Sequence, residues 1–301
     1  MRHNPYASTG NGNGTHSGTW LRGSFHGHCD ENSRCASVPL AISVGDYHAL
    51  GAGFVTLTDH DLITDLAPQQ TQYPDMVFVQ GFEYSTRENV VFAGPGVSPL
   101  YEQSLEDALA QAGDLLTFLC HPQPKGAALE YWTRPKLEAL GTIPDGIEVY
   151  NGHYGIEAAR AVGRQPYYAD FWDELLTAGH RLWGYANDDF HDPDDFANAF
   201  NMVLVQEASA PAVIAAAKSG RSYASTGILL EQLQLTGEQI QVQVSADCEG
   251  RFIGPGGTTL ASANGTHFTY TAGDEDYVRF EGEGPSGRIF LQPLFRNPPD
   301  H

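Results

Sequence analysis

The sequence predicts a mixed α/β fold: a strand–helix domain with a mainly parallel sheet, followed by a small antiparallel β appendage. Three observations carry this expectation. Short β-like runs alternate with segments of helical period from Trp20 to about Gly220. Beyond about Arg221 the helical period disappears and strict period-two alternation sets in, as in Ile240-Gln-Val-Gln-Val-Ser. The chain has 301 residues, 41 % of them apolar, which suffices for a real core in one large or two modest domains.

Residues 1–19 are rich in Gly, Asn, Ser and Thr and read as an irregular leader. A domain of alternating elements then spans 20–225. Its β-like runs are 20–28, 54–60, 76–84, 115–121, 146–151, 182–189 and 202–206. Helical period marks 39–50, where Leu40, Val44, Tyr47 and Leu50 recur, and 167–178, where Gly179 follows as a C-cap. Shorter helical pieces fit 105–112, 156–162 and 211–218. Strands alternating with helices imply a mainly parallel sheet, open or closed into a barrel. The last stretch, 226–301, forms the appendage, with further strands at 267–271, 277–280 and 288–291.

Charge and targeting signals narrow the function classes. There are 16 Lys and Arg against 37 Asp and Glu, a net charge of −21. Duplex nucleic acid and anionic membranes both call for a basic face, so neither is an expected partner. No apolar run approaches the ~20 residues that span a bilayer. The first residues lack the apolar core of a signal peptide, and four cysteines without CxxC spacing give no disulfide framework. The chain reads as soluble and cytoplasmic.

The 12 histidines are the unusual feature, because six of them fall at the ends of β-like runs. The runs end in Phe-His26-Gly-His28, Thr58-Asp59-His60, Gly81-Phe82-Glu83-Tyr84, Cys120-His121-Pro122, Glu148 … Asn151-Gly-His153 and Asp188-Asp189-Phe190-His191. Residues i and i+2 of a strand share a face, so His26 with His28, and Asp189 with His191, form chelating pairs. Ligands bind at the carboxyl ends of parallel strands. Each motif alone is more often a buried polar pair or a solvated loop; jointly they point to one metal centre. Imidazole with carboxylate suits Mn, Zn or Fe. His3, His16, His48, His180, His267 and His301 read as incidental. So do the cysteines, although Cys29 flanks a ligand candidate.

In this order the six motifs resemble those of the PHP (polymerase and histidinol phosphatase) superfamily, over nearly the whole chain. Gly220-Arg-Ser-Tyr-Ala-Ser-Thr-Gly227 and Tyr277-Val-Arg-Phe280 … Gly287-Arg288 resemble the tail of its CehA/McbA-like branch. The resemblance implies a distorted seven-stranded β/α barrel holding two or three divalent ions. One ion would take His26, His28, Glu83 and Asp189, with Glu83 bridging. A second would involve His60 and His191, and a third Glu83, His121 and either His153 or Glu148, His153 being preferred. Two departures stand out. Relatives follow the first motif with Ser-Asp-Gly, whose aspartate serves the second ion; here the stretch is Cys29-Asp-Glu-Asn-Ser-Arg-Cys35, leaving Asp30 or Glu31 to substitute. Relatives also carry Gly-His where this chain has Glu88-Asn89.

The implied activity is hydrolysis of small phosphate mono- or diesters by a metal-bound hydroxide. His153 or His191 would protonate the leaving oxygen, with Asp59 a further catalytic candidate. Lys125, Arg134 and Arg87 are candidates for substrate phosphate, and Tyr84, Tyr150, Tyr154 and Trp132 for an aromatic wall. Aryl carbamate or carboxylic ester hydrolysis is the alternative, extending to promiscuous phosphotriester or sulfate ester turnover. A barrel that has lost its metals and only binds is less favoured, because almost every motif is filled. The negative charge favours a small-molecule ester substrate over polyanions. It leaves the oligomeric state open.

Overall fold

The computed structural model describes residues 2–7, 18–122 and 132–296. The first part of the chain contributes β1 (Thr19–Ser24), β2 (Phe54–Leu57), β3 (Val77–Tyr84), β4 (Val90–Ala93) and β5 (Leu116–Leu119). β6 (Gly146–Asn151), β7 (Trp183–Asn187), β8 (Phe200–Val205) and β9 (Ser222–Ser225) complete it. Helices α1 (Leu40–Ala49), α2 (Ala67–Gln72), α3 (Leu105–Ala110), α4 (Arg134–Glu138), α5 (Glu157–Ala161), α6 (Ala169–Thr177) and α7 (Ala210–Lys218) lie between the strands. The tail adds β10 (Leu230–Thr236), β11 (Gln239–Gly254), β12 (Thr258–Thr271), β13 (Tyr277–Gly284), β14 (Gly287–Phe290) and β15 (Leu294–Phe295). None of the helices among the described residues is long and apolar enough to cross a membrane.

Local sequence explains the main helices. Ser209 caps α7 by accepting from Ala212 N, and Pro211 occupies the first turn, where no N–H partner is needed. α6 turns Phe171, Trp172, Leu175 and Leu176 inward. Burial of side chains of this size contributes about 1.5–3 kcal/mol each. Strands β2, β4 and β5 are buried along their whole length, so they read as continuous apolar runs rather than alternating ones.

The sheet differs from the expected one in two respects. It is mixed rather than mainly parallel: β1, β2 and β3 run parallel, as do β5, β6 and β7, but β4 is inserted antiparallel between β3 and β5, and β8 lies antiparallel to β1. The run Val90-Val-Phe-Ala that forms β4 is too short to show a period.

The sheet also does not close into the seven-stranded barrel that the resemblance implies. Its ladder runs β10-β11-β13-β14-β9-β8-β1-β2-β3-β4-β5-β6-β7 and ends at β7. Side-chain amides satisfy that edge instead. Ala186 N donates to Asn201 Oδ1 at 3.1 Å and Asn201 Nδ2 donates to Ala186 O at 2.7 Å. Gln292 makes the same pair of bonds with Gly184, both 2.8 Å. Buried strand edges need such partners.

The tail strands continue the same sheet, because β14 pairs with β9. Residues 2–7 also pack against it. Tyr6 is buried, its hydroxyl donating to Ser222 O and accepting from Gln292 N.

Candidate metal centre

Most of the candidate donors lie just past strand ends. β1 stops at Ser24, β2 at Leu57, β5 at Leu119 and β7 at Asn187, so His26, His28, His60, His121, Asp189 and His191 sit in the turns just beyond the carboxyl ends, whereas Glu83 lies within β3. Backbone bonds carry the register a few residues further: His28 N donates to Phe190 O (2.8 Å) and Thr58 N to Gly27 O (2.8 Å). His121 and Asp189 adopt left-handed backbone, with φ of 25° and 51°. Non-glycine residues pay about 1–3 kcal/mol for such conformations, and here the turn swings both side chains over the strand ends.

Four donor atoms converge: Nε2 of His26, Nε2 of His28, Oε2 of Glu83 and Oδ1 of Asp189. The five separations that involve an imidazole are 3.1–3.4 Å. Ligands about 2.0–2.2 Å from a tetrahedral ion stand about 3.3–3.6 Å apart, so the spacing fits one divalent cation. The hydrogen-bond pattern points the same way. Glu83 Oε2 is wholly buried and accepts no hydrogen bond from the described residues, although His60 Nδ1 is 2.9 Å away. A buried carboxylate oxygen without a donor is costly unless a cation satisfies it.

Further donors surround this core. His121 Nε2 lies 3.2 Å from Glu83 Oε1 and 3.8 Å from Asp189 Oδ2. The His28 ring packs between those of His60 and His191, at centroid distances of 4.5 and 4.3 Å. Donor atoms of His28, His60 and His191 form one group within 4.8 Å of one another, and those of His153, His191 and Asp195 form another. A pocket of about 250 Å³ opens over the cluster.

Outer groups hold the ligands in orientation. Glu148 Oε1 lies 2.9 Å from His26 Nδ1 and accepts from Asn187 Nδ2, while Oε2 accepts from His121 N and Asn151 Nδ2. Ser33 Oγ donates to Asp59 Oδ1 at 2.6 Å and stands 3.2 Å from His28 Nδ1. Asp195 Oδ2 lies 2.9 Å from His153 Nδ1 and accepts from His191 N. Carboxylate–imidazole pairs of this kind set the tautomer of a metal-binding histidine.

Without an ion the cluster holds protons. Burial opposes the charge on His26, but Asp189, Glu148 and Glu83 together raise its pKa well above the ordinary value. Burial likewise opposes a charged His60, which the nearby Cys35 thiol and Glu83 carboxylate override, raising it to about 10. For His191 the charge of Asp189 and contact with Cys35 override burial, giving about 9. Glu83 and Asp189 are correspondingly held well below the carboxylate range, by the neighbouring histidines and against burial. The site demands positive charge.

The structure thus brings together His26, His28, His60, Glu83, His121, His153, Asp189 and His191. It places others elsewhere. Asp59, expected to be catalytic, is turned away from the imidazoles; its carboxylate accepts from Cys29 N, Ser33 Oγ and Thr64 Oγ1, which makes it a support for the 29–33 turn. Glu148, left open as a ligand, is fully occupied behind His26. Arg87 is exposed and paired with Glu88 and Glu106. Arg134 is exposed beside Glu138 and Glu174. The Tyr84 hydroxyl donates to Gln103 O, away from the pocket. Lys125 lies outside the described residues. Two pocket residues escape the sequence reading: Asn89, whose amide donates to Glu83 Oε1, and Cys35, which sits against His191 and His60. Asn89 stands in the departure from Gly-His, and that was its one signal.

No family model matches the sequence, and no curated protein matches it. Among solved structures, a two-domain protein from Bacteroides vulgatus ATCC 8482 containing a predicted PHP-like metal-dependent phosphoesterase shares the fold. The TM-score is 0.52 at 18 % identity, over 94 % of this chain and 90 % of that one. A lesion-specific endonuclease from Pyrococcus furiosus is a more distant likeness (TM-score 0.45, 15 % identity, 67 % of this chain and 56 % of that one). So is an amidohydrolase from Chromobacterium violaceum (TM-score 0.38, 15 % identity, 57 % and 88 %).

Proposed function

We propose that this protein is a metal-dependent phosphoesterase that hydrolyses small organophosphate mono- or diesters. The observation that carries the reading is the converged donor set of His26, His28, Glu83 and Asp189, with a buried Glu83 oxygen that no hydrogen bond satisfies. Two or three divalent ions, Mn, Zn or Fe, are the proposed cofactors. Held there, they would bring the pKa of water into the neutral range and neutralise charge on the ester oxygens.

The chain's own groups do the rest. Glu148, Ser33 and Asp195 orient imidazoles. His153, half-buried and tied to Asp195 through Nδ1, is placed to protonate a leaving oxygen. Tyr154 lines the pocket beside His121 and His153, at ring distances of 5.3 and 5.2 Å, and offers a face to an aryl group. Membership of the CehA/McbA-like branch belongs to the same proposal. It is supported by the pairing of β9, which lies within 220–227, with β14, which carries Arg288.

One observation favours a second reading. Among the described residues that line the pocket there is no lysine or arginine. An uncharged aryl carbamate or carboxylic ester would suit such a lining better than a dianionic monoester. A panel of phosphate mono-, di- and triesters, aryl sulfates and aryl carbamates, run with Mn, Zn and Fe in turn, separates the two. Turnover of aryl carbamates alone would reject the phosphoesterase reading.

A further inference from the structure

The stretch after His28 carries the chain's clearest departure from the superfamily pattern, since the aspartate of Ser-Asp-Gly has no counterpart there. Neither expected substitute reaches the cluster. Asp30 is exposed. Glu31 accepts from Leu40 N at 2.8 Å, at the start of α1. The turn is instead folded back on itself, with Ser33 N donating to Cys29 O and Ala36 N to Ser33 O, and Ser37 N donates to His191 O at 2.9 Å. This path brings Cys35 to the pocket mouth, which it lines together with His60, Glu83 and His191.

We propose that Cys35 is a metal ligand, its thiolate completing a second ion site with His60 and His191 beside the first, with Glu83 shared between them. The proposal rests on the metal-centre reading above. The second observation, shared with the first site, is Glu83 Oε2, which is buried, has no hydrogen-bond donor among the described residues and stands 2.9 Å from His60 Nδ1. A carboxylate aimed at His60 without bonding to it marks a point for a cation on the His60 side. The chemistry follows from the donor type: the thiol loses its proton to solvent on binding, and a soft thiolate selects Zn(II) over Mn(II), where the aspartate of the superfamily pattern would accept either.

The test uses the full chain, stripped of metal and titrated with Co(II) and with Zn(II). The wild type should bind two equivalents and show a thiolate-to-cobalt charge-transfer band in the near ultraviolet. Zn(II) should also protect Cys35 from iodoacetamide. Cys35→Ser should lose the band and weaken the second Zn(II) equivalent by more than about 100-fold, since even outer groups cost 10–100-fold. Cys35→Asp should regain a second equivalent, with its preference moved towards Mn(II). A wild type that binds two ions without the band, or a Cys35→Ser protein that binds both unchanged, overturns this inference alone. A wild type that binds one ion whatever stands at 35 does the same and leaves the first site standing. Binding of no ion overturns both readings.

Discussion

Glu148 stands directly behind His26, with Oε1 2.9 Å from His26 Nδ1 on the side of the ring opposite the converging donors. The same carboxylate accepts from Asn187, Asn151 and the His121 backbone. It therefore fixes two of the clustered histidines and three strand ends at once. Glu148→Gln offers one acceptor oxygen where two are used and leaves buried donors unpaired. Metal affinity should fall about 10–100-fold, measured by competition with a chromogenic chelator. Unchanged affinity would show that the orientation of His26 does not depend on Glu148.

Asp189 contributes one oxygen to the four-donor set and is fixed by Asn151 at 3.1 Å. Asp189→Ala should lower ester turnover by at least about 100-fold, because loss of a ligand exceeds the outer-group penalty. Steady-state rates on p-nitrophenyl phosphate and bis(p-nitrophenyl) phosphate provide the check. Full activity in this variant would place the chemistry elsewhere.

Metal loading should release protons. His60, raised to about 10, and His191, raised to about 9, are protonated in the metal-free protein at pH 7.5. Coordination needs the neutral ring, so each ligating imidazole gives up one proton. Apparent affinity should rise with pH up to about 9–10 and fall below it, the sign expected for raised pKa values. Calorimetry in buffers of different ionisation enthalpy measures the count; release of more than one proton at pH 7.5 is expected.

Far from the site, Arg279 ties the tail to α6. Its guanidinium is buried and bidentate on Asp173, at 2.7 and 2.6 Å, with a third bond to Glu281 at 2.8 Å. Asp173→Leu removes the bidentate partner of that charge, leaving it to Glu281 alone, and should cost about 3–5 kcal/mol. The double variant Asp173→Leu/Arg279→Met should recover part of it, because both charges of that pair are gone while Glu281 keeps Arg251 and Arg288. Urea denaturation of the three proteins decides.

The clustered donors were legible in the sequence because parallel strands bring their carboxyl ends to a common edge, and imidazoles repeat at successive strand ends. What those residues do once assembled was less legible. Arg87 reads as a free cation until Glu106, nineteen positions later, is found beside it. Asp59 shares a motif with His60, yet one residue of twist turns it to Cys29, Ser33 and Thr64. The open seam at β7 depends on Asn201 and Gln292, two amides whose partners no local pattern reveals. Cys35 was hidden for the same reason: only the fold of the 29–37 turn shows that Cys35, rather than Asp30 or Glu31, lines the pocket.

The metal content of the purified full chain, expressed with supplemented Mn, Fe and Zn and measured by inductively coupled plasma mass spectrometry, tests the central claim most directly. The converged donors predict at least one tightly held equivalent and, with the second site filled, two. Less than one equivalent of every metal would contradict the account.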